Sequence, residues 1–145
     1  MRLTGYNVAA VHVVSDTPTV WLRDRSAPAA TLSSDVGIAV SLGETLAVLQ
    51  RGTTIPATNS CIVTTSEDYQ MDMHVQVFYG DYCQTEKNTL IGETVLTRIS
   101  PRKKGEVELE LELSVDVQGS VTLRAKDITS KKPWKDYTFR RRIRK

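Results

Sequence analysis

From position 106 to position 117 the side chains alternate in character at every step. Val107, Leu109, Leu111, Leu113, Val115 and Val117 share one parity, and Glu106, Glu108, Glu110, Glu112, Ser114 and Asp116 share the other. Successive side chains of a strand point to opposite faces, so this stretch is a strand with one apolar and one acidic face. A helix would scatter the same leucines round its axis. The four glutamates are placed against water, because a buried, unpaired carboxylate is too costly. Their like charges also discourage a neighbouring chain from adding to the sheet.

From Asp35 onward the chain is β-patterned throughout. Gln118-Gly119 suits a two-residue hairpin turn, with Gly119 free to take positive φ. Residues 120–126 then return with Val121, Leu123 and Ala125 inward. Upstream, residues 36–40, 45–50, 61–65, 71–79 and 90–97 are further β-prone runs, and residues 136–143 form the last. Within 71–79, Met71, Met73, Val75, Val77 and Tyr79 point one way, and Asp72, His74, Gln76 and Phe78 the other. Gly92 marks a bulge. Eight short strands with turn signals between them, and no helix after residue 35, predict an all-β fold, an antiparallel β-sandwich.

Residues 1–34 lack a sustained period. Residues 7–14 are a candidate strand and Val20-Trp21-Leu22 is a short apolar patch, but the prolines, small residues and charges around them read as an irregular extension, loop-rich or partly disordered. The expected boundary lies near Ser33, between an N-terminal extension at 1–34 and a sandwich domain at 35–145 with a basic C-terminal tail. A length of 145 residues suffices for a core without disulfides or metal. No stretch reaches the apolar length needed to cross a bilayer. His12 interrupts the apolar run at 8–14, so a secretory signal is not expected, and the cytoplasm is the default location.

The net charge of +2 conceals an asymmetry. Residues 126–145 hold nine Lys or Arg against two Asp or Glu, a net +7, leaving ten against fifteen, or −5, in residues 1–125. Such a tail is read first as a solvated terminus. With only Trp134, Tyr137 and Phe139 beside it and no recognised motif, nucleic-acid binding is not expected. Cys61 and Cys83, with His12 and His74, make no close-spaced ligand set, so no metal is expected. Two lone thiols suit a reducing compartment. No serine lies in a Gly-x-Ser-x-Gly turn, and no glycine-rich loop ends in Gly-Lys-Ser or Gly-Lys-Thr. The chain is therefore not expected to be an enzyme, to carry catalytic residues or to need a cofactor.

Several segments carry a family resemblance: Gly37-Ile38, Leu42-Gly43-Glu44-Thr45, Arg51-Gly52-Thr53-Thr54-Ile55-Pro56 followed by Ser60, Val77-Phe78-Tyr79-Gly80-Asp81, Asn88, Leu90-Ile91-Gly92, and Asp116-Val117-Gln118-Gly119-Ser120-Val121-Thr122-Leu123-Arg124-Ala125-Lys126-Asp127. With their spacing, from Gly37 to Asp127, they resemble the β-sandwich substrate-binding domain of the 70-kDa heat-shock protein family. The resemblance implies that a short, extended apolar peptide is held between loops by main-chain hydrogen bonds, with one aliphatic side chain in a central pocket. In that family, ATP binding and hydrolysis in a separate domain control release. Residues 1–34 are far shorter than such a domain, and no helical lid follows the last strand. The expectation is thus chaperone-type binding independent of nucleotide, with ATP entering only through a separate ATPase domain or a longer product.

Carried over position by position, Ile38, Val40 and Ser41 form one wall, and Val63, Thr64 and Ser66 another. Gln70 lies on the rim, Met73 and Val75 line the central pocket, and Leu109 is its floor. Ser41 and Ser66 stand where the family commonly arches two apolar side chains over the peptide, and Met73 stands where it usually has valine. Methionine is longer and more pliable, which narrows the pocket. By residue type alone, Ile38, Val63, Met73, Val75 and Leu109 are ordinary core residues. The implied partners are unfolded or extended polypeptide segments, with co-chaperones as further partners and no membrane. The alternative is a degenerate sandwich scaffold that acts as a protein-interaction module without binding peptide.

Overall fold

The computed structural model describes residues 8–13, 19–20, 30–40, 43–129 and 135–142. Among them lie twelve strands: β1 (Val8–Val13), β2 (Thr19–Val20), β3 (Ala30–Thr31), β4 (Val36–Val40), β5 (Glu44–Leu49), β6 (Thr54–Ile55), β7 (Ala57–Thr65), β8 (Met73–Tyr79), β9 (Thr89–Leu96), β10 (Glu108–Val115), β11 (Ser120–Asp127) and β12 (Lys135–Arg142). A short 3-10 turn spans Thr85–Lys87. All pairings are antiparallel. One sheet runs β1-β7-β10-β11-β12, with β2 also on β7, and a second runs β5-β4-β8-β9. A two-residue ladder joins β3 to β6. The eight strands expected from residue 36 onward are β4, β5 and β7 to β12, and the all-β sandwich is the observed fold.

The alternation in β10 does what its parity requires. Leu109, Leu111, Leu113 and Val115 are buried, while Glu110 and Glu112 are half-buried on the other face. Val121, Leu123 and Ala125 of β11 join them from the paired strand. Val36, Ile38, Met73, Val75 and Val77 of the second sheet close the same cluster from the opposite side. Each fully buried leucine or valine contributes about 1.5–3 kcal/mol relative to exposure. On the acidic face Glu112 meets Arg124 at 3.5 Å, and Glu110 accepts a hydrogen bond from the Ser60 hydroxyl at 3.0 Å.

Several local expectations are revised. β7 begins at Ala57 rather than Cys61, because its first four residues pair with Ser114, Val115 and their neighbours on β10. β8 begins at Met73, so Met71 is 58% exposed rather than inward. Val117 lies in the turn after β10 and is likewise exposed. That turn is longer than two residues. The Gly119 amide donates to the Asp116 carbonyl, and the Asp116 carboxylate accepts from the amides of Gln118 and Ser120, each at 2.9 Å. Gly119 does take positive φ, +87°. The bulge sits at Ile91 rather than Gly92, since Val77 pairs with Gly92 and Phe78 with Leu90. His74, Gln76 and Phe78, on the outer parity of β8, are all buried, and the Nε2 atoms of His74 and Gln76 each lie 3.1 Å from Glu93 Oε2 on the paired strand. In the N-terminal segment, the candidate strand at 7–14 is β1, and both β1 and β2 pair with β7 across the boundary expected near Ser33. Residues 1–7, 14–18 and 21–29 of that extension, and residues 130–134 and 143–145 of the basic tail, lie outside the described residues.

One end of the second sheet is clasped. The Asp35 amide and the Ser34 hydroxyl donate to the Asp81 carboxylate, Arg51 Nη1 approaches it at 3.3 Å, and the Arg51 amide donates to the Asp35 carboxylate at 2.7 Å. This ties the start of β4, the turn after β5 and the end of β8. Within β4, a Cβ added at Gly37 would collide with the Leu46 carbonyl of β5, so only glycine lets the two backbones approach at that bulge.

Leu111→Ala removes a fully buried side chain and is expected to lower the unfolding free energy by about 2–5 kcal/mol in a urea titration. Burial, with Glu110 adding to it, pushes the Cys61 thiol up to about 12, whereas Cys83 is exposed. A thiol reagent at neutral pH is therefore expected to titrate one cysteine in the native chain and two in denaturant, since the thiolate is the reactive form.

Candidate peptide-binding groove

The ladder between β4 and β8 runs from Val36 opposite Tyr79 to Ile38 opposite Val77, and there it ends. β4 nevertheless continues to Val40, paired with β5, and β8 extends back to Met73, paired with β9. Beyond Ile38 and Val77 the two strands are therefore not laddered to each other. Val63, at the C-terminal end of β7, belongs to the same buried cluster as these ends.

Six of the ten anticipated site residues lie in the hydrophobic core that both sheets share. Ile38, Val40, Val63, Met73, Val75 and Leu109 all belong to one contiguous buried cluster. Val63 is laddered to Leu109, so the residues expected as wall and floor are direct cross-strand neighbours. Thr64 shares the backbone position but not the orientation. Its side chain lies on the opposite parity of β7 and its hydroxyl donates to the Val107 carbonyl. Ser66 and Gln70 belong to the loop between β7 and β8. Ser41 lies outside the described residues.

That loop is built by its own side chains. The Ser66 amide donates to Gln70 Oε1 at 3.2 Å, and Gln70 Nε2 donates to the Asp72 carbonyl at 2.6 Å. Tyr69 takes a positive φ of 58°. The connection between β9 and β10 supports it from outside: the Tyr69 amide donates to Arg102, the Ile99 amide to Met71, and the Lys104 amide to the Asp68 carboxylate. Gln70 therefore acts as an internal brace for the rim, a role its polarity does not announce in the sequence.

A profile of the Hsp70 protein family matches residues 16–138, most of the chain. The chain belongs to the Hsp70 family. A chaperone protein DnaK of Mycoplasmopsis pulmonis (strain UAB CTIP) is 32% identical over 97 residues, which is 67% of this chain and 16% of the relative. The DnaK of Mycoplasmoides gallisepticum (strain R(low / passage 15 / clone 2)) is 32% identical over 85 residues, 59% of this chain and 14% of the relative. The similarity to these relatives thus covers about a sixth of their length or less. Among the described residues of this Hsp70-family chain, no helix is long and apolar enough to cross a membrane, and no group of three or more His, Cys, Asp or Glu could hold a metal ion.

Two residues at the groove were not singled out from the sequence. Val8 of β1 is fully buried opposite Thr65, and the Thr65 hydroxyl is buried with no hydrogen-bond partner. The β-prone run at 7–14 was the available signal for Val8, but nothing local says which edge it joins. Gln70→Ala removes both braces of the rim. It is expected to raise hydrogen exchange at the Ser66 amide at least tenfold while lowering global stability by only about 1 kcal/mol, as read by exchange mass spectrometry alongside denaturant melts.

Proposed function

We propose that this chain binds short, extended apolar segments of unfolded polypeptides in the groove between β4, β7 and β8, as a chaperone-type module that needs no nucleotide of its own. The observation that supports it is the ending of the β4–β8 ladder beside a buried cluster of apolar side chains. An extended chain entering there finds backbone edges for strand-like hydrogen bonds and an apolar floor for one side chain, the combination that gives affinity from the main chain and preference from the pocket. Met73 rather than a shorter residue favours a small or pliable ligand side chain. Chaperone membership of the DnaK relatives is consistent with unfolded polypeptide as the partner class, with co-chaperones joining through other surfaces. ATP would act only through a separate ATPase domain or a longer product.

The test is fluorescence anisotropy of a labelled, leucine-rich heptapeptide titrated with this protein and with Met73→Phe, both checked by circular dichroism. Saturable binding by the parent, weakened at least tenfold in a folded Met73→Phe chain, is the expected result, because the larger ring overfills a closed site. A folded parent chain that gives no binding would leave the sandwich as an interaction scaffold without a peptide site.

A further inference from the structure

β1 runs antiparallel along β7, with Val8 opposite Thr65, Ala9 opposite Thr64 and Ala10 opposite Val63. Thr64 and Val63 are among the positions at which a bound peptide is expected. Besides β7, β1 lies against β4 and β8, which border the groove, and against β5. Val8 is 0% exposed and belongs to the cluster that holds Ile38, Val40, Met73 and Val75. After Ala10 the register shifts, and Val11 is 49% exposed. The strand is therefore held by the fully buried Val8, by the half-buried Val13 opposite Cys61 and by main-chain pairing, and its two alanines add little buried area.

We propose that β1 is a ligand bound in cis: it occupies the groove, and it displays the class of segment the groove accepts. That class is an extended chain antiparallel to β7 that places one valine-sized side chain beside Thr65. A second observation points the same way. The Thr65 hydroxyl, 2% exposed and without a partner, lies on the inward parity directly opposite Val8. A buried, unsatisfied hydroxyl is costly, and departure of β1 would return it to water or to a polar group of an incoming peptide. The inference rests on the groove being a peptide site. It adds that a peptide from outside must displace β1, whose tethering gives it a high effective concentration, so apparent affinity falls by the fraction of chains in which the groove is open.

The test compares three proteins against the labelled heptapeptide: the parent, a variant lacking residues 1–14, and a chain with Ala9→Cys, Thr64→Cys and Cys83→Ser, whose new thiols face each other across the β1–β7 ladder. The truncated chain is expected to bind at least tenfold more tightly than the parent, and also to bind a synthetic peptide of residues 7–14. The oxidised, tethered chain is expected to lose binding and to recover it on reduction. In native-state hydrogen exchange of the parent, amides of residues 8–10 are expected to exchange at least a hundredfold faster than those of β10.

Equal binding by parent and truncated chain, or unchanged binding on oxidation, overturns the proposal. So does exchange of residues 8–10 only on global unfolding, a reading that still decides if the truncated chain fails to fold. Binding of the 7–14 peptide without any binding of the leucine-rich heptapeptide would instead sink the general chaperone reading and leave the cis ligand standing.

Discussion

The ladder between β7 and β10 is what the rest of the sandwich depends on. It runs without a register shift from Glu108 opposite Thr64 to Val115 opposite Ala57. It fixes the phase of both strands at once. A slip of one residue would turn Leu109, Leu111 and Leu113 to water and bring Glu108, Glu110 and Glu112 into the core. With phase set by that penalty, β7 delivers Cys61 and Val63 inward, β11 follows through its own ladder to β10, and the far edge of β7 is left at a defined height for β1 and β2.

The residues proposed to line the groove are also core residues, and this would shape what such a site can be. Ile38, Val63, Met73, Val75 and Leu109 are fully or almost fully buried, and all belong to the cluster that holds the two sheets together. A residue that both supports the fold and meets a ligand cannot be varied freely for either purpose. Adaptation of ligand preference then falls to residues at the margin, such as those of the loop braced by Gln70, where a change leaves inter-sheet packing intact.

How much of this was legible in the sequence follows the physics of each signal. The alternation at 106–117 named the strand, its buried face and the need for a second sheet, because burial acts on every second residue. The same signal failed at its ends: Met71 and Val117 continue the apolar parity but lie past the last ladder pair, and periodicity carries no information about where pairing stops. The outer residues His74 and Gln76 are buried although polar, which their parity alone did not foretell; Glu93 on the neighbouring strand supplies their contacts. The site residues came from family resemblance, since an apolar pocket wall and an apolar core wall have the same composition. The joining of β1 to β7 was beyond reach, because an eight-residue run says that it is a strand but not whose edge it will take.

The clasp of Ser34, Asp35, Arg51 and Asp81 sits at the end of the second sheet where β4 and β8 are laddered, and the groove sits at the end where they are not. The two strands are joined to each other like the arms of tweezers, at the handle alone, while each arm stays paired along its outer side, β4 with β5 and β8 with β9. Any widening needed to admit a bulkier side chain at Val40 and Val75 must therefore be a rotation about the fixed end, in which displacement grows with distance from Asp35. The deepest part of the groove, nearest Ile38 and Val77, is its least adjustable part, and its outer lip the most.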